Sequence, residues 1–329
     1  MKKPCYLLLV NGLLLLAVAA CVFPPARTTS SVEIPANSGS TEQSQALPSA
    51  TTTPQPTETI EATPTEGAPV LFAVIGDYGQ AGRHSFAVAE MIDSWHVDFI
   101  LTAGDNNYPD GEASTIDENI GQYYHRYIGN YRGGYNRGSE TNRFFPSLGN
   151  HDWDLNTIDP YLDYFNLPGN ERYYDVVFSP VHLFILDSDP HEPDGVGISS
   201  DQAAWLKDAL ANSQEPWNIV IMHHPPYSSG LHGSSDWMQW PYKEWGADVV
   251  LAGHDHLYER LEVDGLLYLT NGLGGHASRY DFENILPESQ FRYNANWGAL
   301  RVTATSQTLT FEFVNLDGAI IDTVTLNAD

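Results

Sequence analysis

Two apolar runs, Val70–Ile75 and residues 97–103, each end at a Gly-Asp pair, Gly76-Asp77 and Gly104-Asp105. Between them Val88, Met91, Ile92 and Trp95 fall at i, i+3, i+4 and i+7, one face of an amphipathic helix. Strand, helix and strand with short connections make a βαβ unit and argue for parallel pairing. In such sheets the loops beyond the carboxyl ends of the strands form the site. Asp77 and Asp105 both occupy that position, so their side chains can meet although 28 residues separate them. Tyr108 follows three residues after Asp105. A carboxylate and a phenol are hard oxygen donors, the type that suits a highly charged metal ion. Taken alone, Asp-x-x-Tyr after a strand reads as a turn with a surface tyrosine, so the rest of the chain decides.

Further apolar strands are expected at 144–148, 173–178, 181–187, 217–222 and 248–251. Residues 112–143 read as an irregular, Tyr- and Gly-rich excursion over the site with one helix around 116–127. Ser199 with Gln202 reads as a capping box for a helix through Ala211. From Trp297 the tail alternates in 308–314 and 320–326 around a turn at Leu316-Asp317-Gly318, an antiparallel set covering the core.

The chain has 329 residues, 42% hydrophobic, enough for one large domain or two small ones. Charge is lopsided, 15 Lys+Arg against 42 Asp+Glu, for a formal net of -27. That field repels nucleic-acid phosphates and excludes binding by counterion release. It also repels a small phosphate ester at long range, so any phosphate chemistry here needs a local cationic centre. The acidity itself reads as solubility outside the cell.

Both cysteines, Cys5 and Cys21, lie in the first segment. Met1-Lys2-Lys3 and a Leu-, Val- and Ala-rich stretch over 6–20 have the charged start and apolar core of a secretory signal. Val18-Ala19-Ala20-Cys21 resembles a bacterial lipobox, whose cysteine is diacylated; an ordinary signal peptide or an uncleaved anchor is the other reading. Residues 22–69 are rich in Pro, Ser and Thr and read as a disordered tether. The expected organisation is thus a lipoprotein signal over 1–20, a lipidated Cys21 with tether to 69, and one catalytic domain over 70–329. The protein is expected outside the cytoplasm, membrane-anchored or secreted, with membrane contact only through that anchor. The catalytic part has no cysteine and no disulfide.

Five strand ends carry, in order, Asp77; Asp105 with Tyr108; Asn150-His151; His223; and His254 with His256. Each has an ordinary explanation alone, as a helix cap, a solvated histidine pair or a rigid turn. Five metal-capable sets at one end of one sheet are not required by any fold. Phosphoester hydrolysis gives them a reason: two metal ions about 3.5–4 Å apart activate water and clamp the phosphoryl oxygens. Two such cations repel, so they need an anionic bridge, and Asp105 is the natural candidate.

The series Gly76-Asp77-Tyr78-Gly79, Gly104-Asp105-Asn106-Asn107-Tyr108, Gly149-Asn150-His151-Asp152, Met222-His223 and Gly253-His254-Asp255-His256 resembles the five motifs of purple acid phosphatases. These belong to the calcineurin-like metallophosphoesterases, and the resemblance covers about residues 70–329. It implies an α/β fold, a two-sheet β-sandwich with mixed, partly parallel sheets flanked by helices. It implies one metal, Fe(III), on Asp77, Tyr108 and His256, and one divalent metal (Fe, Zn or Mn) on Asn150, His223 and His254. Asp105 would bridge them. Relatives outside the purple group carry Asp-x-His in the first motif; here Gly79 stands at the histidine position and Tyr108 is available instead.

His151 and His232 are the catalytic candidates that the resemblance implies, as donors to the phosphoryl or leaving-group oxygen. His224 reads as a supporting residue behind the ligands and His276 as a residue of the pocket wall. His84, His96, His125, His182 and His191 read as surface or packing residues. Large plant members carry an extra N-terminal β-sandwich and dimerise by disulfide; this chain resembles the small single-domain type and is expected to be a monomer.

The leading function is hydrolysis of a small phosphate monoester by in-line attack of a metal-bound hydroxide, an acid phosphatase. A phosphodiesterase or nucleotide pyrophosphatase on the same metals is the first alternative. For it, Trp237, Trp240 and Trp245 in the loop 227–247 offer stacking surfaces for a base. A non-catalytic surface binding protein is the second, against which the intact ligand set argues.

Overall fold

The structure is a computed structural model and describes residues 67–328. The signal, Cys21 and most of the expected tether lie outside the described residues. Among the described residues, thirteen strands follow in chain order. They are β1 (Val70–Ile75), β2 (Phe99–Thr102), β3 (Phe144–Pro146), β4 (Tyr174–Phe178), β5 (Val181–Ile185), β6 (Trp217–Ile221) and β7 (Val249–Ala252). After them come β8 (Tyr258–Val263), β9 (Leu266–Asn271), β10 (Ser289–Tyr293), β11 (Gly298–Ala304), β12 (Thr308–Asn315) and β13 (Ile320–Asn327).

They form two mixed sheets, one in the order β13-β12-β11-β1-β2-β3, the other β10-β8-β9-β7-β6-β5-β4. β1, β2 and β3 are mutually parallel, as are β5, β6, β7 and β9. The tail adds β11 antiparallel to β1 and continues through β12 and β13. Two mixed sheets with helices on their faces are the α/β sandwich expected from the sequence.

The sheets pack face to face through aromatic side chains. Phe99 on β2 stacks on Phe178 of β4 at 4.3 Å, and Tyr258 of β8 stacks on Phe313 of β12 at 4.4 Å. Each such ring, fully buried, contributes about 1.5–3 kcal/mol. The helix Arg83–Ser94 buries Val88, Ala89 and Ile92. The helix Asp201–Asn212 covers the second sheet with Ala203, Leu206 and Leu210, against Phe184, Val220 and Val250.

Two local expectations need correction. The cap of the second helix is Ser200, whose Oγ accepts from Ala203 N, not Ser199. Gln202 does not complete a capping box but turns inward, where its Oε1 accepts from Asp187 N at 2.9 Å. The helix expected around 116–127 is broken into a π turn over Asp117–Gly121, an α turn over Gln122–Tyr124 and a 3-10 turn over His125–Tyr127. Tyr131 and Tyr164 both donate to Asp117 Oδ1 beside that break, at 2.6 and 2.8 Å.

Candidate metal centre

Within each sheet the parallel strands share one direction, and the turns after β1, β2, β3, β6 and β7 bring Asp77, Asp105, Asn150, His223 and His254 into one cluster. Asp77, Asp105 and His254 sit at φ 55°, 54° and 69°, the left-handed region that non-glycine residues rarely adopt. Backbone held there is typical of sites whose side chains are aimed by surrounding structure. Gly79 allows the first two turns to touch. A Cβ at that position would lie 2.1 Å from the carbonyl of Asn106, while Gly79 N donates to Asp105 O and Tyr108 N donates to Gly79 O. No histidine fits at position 79, which gives a steric reason for the Asp-Tyr-Gly form of the first motif.

The side chains converge in two groups. In the first, Tyr108 Oη lies 3.2 Å from Asp77 Oδ1 and 3.3 Å from His256 Nε2, and His256 Nε2 lies 3.3 Å from Asp77 Oδ1. In the second, His223 Nε2 lies 3.1 Å from both Asn150 Oδ1 and His254 Nδ1. Asp105 faces both groups: Oδ2 accepts from Tyr108 at 2.6 Å and Oδ1 lies 3.3 Å from His223 Nε2. Ligand atoms of Asp77, Asp105 and His223 all lie within 4.8 Å of one another.

The imidazoles are oriented from behind. His223 Nδ1 donates to Ala103 O at 2.8 Å and His256 Nδ1 to Ser278 O at 3.1 Å, which leaves each Nε2 with its lone pair toward the cluster. Burial lowers the pKa of His256 to about 4 and that of His254 well below its usual range, which favours the neutral imidazole that can bind a cation. Burial pushes Asp77 and the Tyr108 phenol well up. Burial would raise Asp105 as well, but His223 and His151 hold it below the usual carboxylate range.

Two carboxylates and a phenol thus share a buried site in which, among the described residues, no lysine or arginine reaches them. A donor set of this composition fits cations. The donor sets fit a trivalent ion on the Tyr108 side and a borderline divalent ion on the amide and imidazole side.

The candidate proton donors flank the cluster from two sides. His151 is half-buried, its ring centroid 4.4 Å from that of Tyr108, and its Nδ1 donates to Pro109 O at 2.6 Å with Asp154 Oδ2 at 3.0 Å. Burial would lower its pKa, but Asp105, the Pro109 carbonyl and Asp154 raise it. His232 is exposed, its ring 4.3 Å from that of His254 and its N–H on Asp255 Oδ1 at 2.9 Å. His224 is buried behind the ligands on Ser188 Oγ, and His276 lies between Tyr108 and His256 at 4.5 and 4.4 Å. Of the loop tryptophans, Trp240 is only 4% exposed and offers no free face, and Trp245 packs half-buried beside it. Trp237, 40% exposed, remains, fixed by Nε1 on Ser188 O.

Two contributors were not singled out in the sequence. Tyr280 stacks flat on His256 at 4.2 Å, and only its place after the Gly-rich segment 272–275 hinted at it. Asp152, fully buried, ties the second and third motifs together, and its one signal was its position directly after His151.

Residues 70–258 match the family model of the calcineurin-like phosphoesterases, and residues 265–323 match that of the iron/zinc purple acid phosphatase-like protein C. Purple acid phosphatase 17 of Arabidopsis thaliana is 27% identical over 262 residues, 69% of this chain and 74% of that protein. The Fe(3+)-Zn(2+) purple acid phosphatase 12 of the same plant is 25% identical over 227 residues, 62% of this chain and 46% of that one. A solved purple acid phosphatase from yellow lupin seeds superposes with a TM-score of 0.64 at 20% identity, over 80% of this chain and 55% of that chain. The last likeness is one of fold. With the first family model spanning more than half of its length, the chain belongs to the calcineurin-like phosphoesterases, in their purple acid phosphatase branch, and is a metal-dependent phosphoester hydrolase.

Proposed function

We propose that the chain is an acid phosphatase acting on small phosphate monoesters, with Fe(III) and a divalent ion in its two donor sets. The observation that carries this reading is the sharing of Asp105, one oxygen toward Tyr108 and the other toward His223. Asp77, Tyr108 and His256 would hold the ferric ion, and Asn150, His223 and His254 the divalent one. The iron and zinc named for the Arabidopsis relative support that pairing. When bound, such a centre supplies an activated water and positive charge for the phosphoryl oxygens.

The remaining roles belong to the chain's own side chains. His151, with Nδ1 committed to Pro109 O, keeps Nε2 for the phosphoryl or leaving-group oxygen. His232 reaches the same space from the His254 side. The apolar stretch over 6–20 and Cys21 support a lipid-anchored enzyme outside the cytoplasm, and the lack of cysteine in residues 70–329, which rules out dimerisation by disulfide there, supports a monomer.

Turnover of phenyl phosphate, diphenyl phosphate and ATP at pH 5–6 tests the reading. Phenyl phosphate is expected to exceed the diester at least about tenfold in kcat/KM. A diester turned over faster than the monoester overturns it.

A further inference from the structure

His151 and His232 are held in different ways. The His151 ring fixes itself, with Nδ1 on Pro109 O. The exposed His232 ring makes no hydrogen bond among the described residues. It rests only against the ring of His254 at 4.3 Å and that of Tyr280 at 5.4 Å. What holds it is its backbone. His232 N donates at 2.9 Å to Oδ1 of Asp255, a fully buried residue between His254 and His256. The other oxygen, Oδ2, accepts from Ser228 Oγ at 2.5 Å, and that Oγ accepts from Gly230 N at 3.0 Å. Gly230 presses so closely on the carboxylate that a Cβ there would lie 2.3 Å from Asp255 Cγ. A second buried carboxylate, Glu259 on β8, accepts from Ser229 N at 2.8 Å and from Ser289 Oγ.

We propose that Asp255, braced by Ser228, is a positioning residue for His232: through the His232 N–H it keeps that ring against His254, at the side of the donor sets. This rests on the phosphatase reading above, in which His232 serves a phosphoryl or leaving-group oxygen. An exposed histidine on a free loop spends little of its time in the one placement that serves a reaction, and a 1 Å error costs on the order of 10²-fold. Hydrogen bonds to a carboxylate are about twice as strong as neutral ones, and both of Asp255's donors come from the turn 228–232. Asp255 shares its backbone with His254 and His256, so a shift of that loop carries His232 with it. Glu259 ties the same turn to the sheet.

The test is a double-mutant cycle on the metal-loaded full chain. Ser228→Ala and Asp255→Ala are each made alone and over His232→Ala, and kcat for phenyl phosphate and for diphenyl phosphate is measured per bound metal. With His232 present, each is expected to lower kcat about tenfold. Over His232→Ala, each is expected to change it less than about twofold, because the clamp acts only through that ring. Ser228→Ala leaves the ligand loop itself untouched and decides the matter where Asp255→Ala does not fold. A Ser228→Ala loss of the same size in both backgrounds, or no loss in either, overturns the clamp. Calorimetry of orthophosphate binding to the same samples reads it without turnover. A chain that shows the non-additive pattern in binding but hydrolyses neither ester keeps the clamp and loses the phosphatase claim.

Discussion

One oxygen of Asp152 holds Asn106 twice, accepting from its Nδ2 at 2.8 Å and from its backbone N at 3.2 Å. The same Oδ2 accepts from Gly149 N at 2.9 Å, so a single buried atom joins the loop of Asp105 to that of Asn150. Asn106 is saturated in return: its Oδ1 accepts from Tyr78 and Thr102, and its Nδ2 also donates to Ser147 O. Asp152→Ala leaves three donors without an acceptor and is expected to cost about 3 kcal/mol of stability. Urea unfolding measures that loss, and metal analysis of the purified variant should find less than the wild-type content because Asn150 loses its support.

Gly79→Ala is a sharper perturbation of the same region. Its Cβ would overlap backbone atoms of Asn106, which are not free to move aside as a flexible side chain is. The expected result is loss of both metals at unchanged expression, or failure to fold. A variant with full metal content and wild-type melting temperature contradicts the packing described.

His151→Ala removes the proposed proton donor but none of the seven proposed metal ligands. Metal content should stay at the wild-type level while kcat for phenyl phosphate falls about 10²–10³-fold. The loss should be greater for an alkyl phosphate, whose leaving group needs the proton more, than for p-nitrophenyl phosphate. Equal losses on both would move His151 from proton transfer to simple binding.

Alkaline stability depends on the excursion over the site. Burial, with Asp93 next, raises Tyr127 to about 12, and burial with the hydrogen bond to Asp117 raises Tyr131 to about 12. In the unfolded chain both phenols titrate near 10, so the folded state binds more protons between pH 10 and 12. The stabilisation is fully present below pH 10 and is lost as pH rises through 12. Urea midpoints across that range should fall, and the fall should be shallower in Tyr127→Phe.

Much of this was legible because the ligands sit at the ends of apolar strands, where a Gly-Asp or Gly-His step interrupts an otherwise simple pattern. The five strand ends, the βαβ start and the β12–β13 hairpin follow from period and punctuation alone. Trp240 shows where that stops: an aromatic residue in a polar loop reads the same whether it lines a mouth or fills a satellite core, and here it is buried with Met238 and Tyr242. The choice of Ser200 over Ser199 depends on the path of one turn, which two adjacent serines do not specify. Asp152 and Tyr280 act through Asn106 and His256, far away in sequence, and no local pattern encodes those pairings.

The account turns on Tyr108, held between Asp77, Asp105 and His256. Metal analysis with a visible absorption spectrum of wild type and Tyr108→Phe tests it most directly. Wild type is expected to contain iron and a second metal and to show a tyrosinate-to-iron absorption band, and the variant to lose that band. A colourless wild type holding only zinc or manganese, with phenyl phosphate turnover unaffected by Tyr108→Phe, contradicts the ferric assignment.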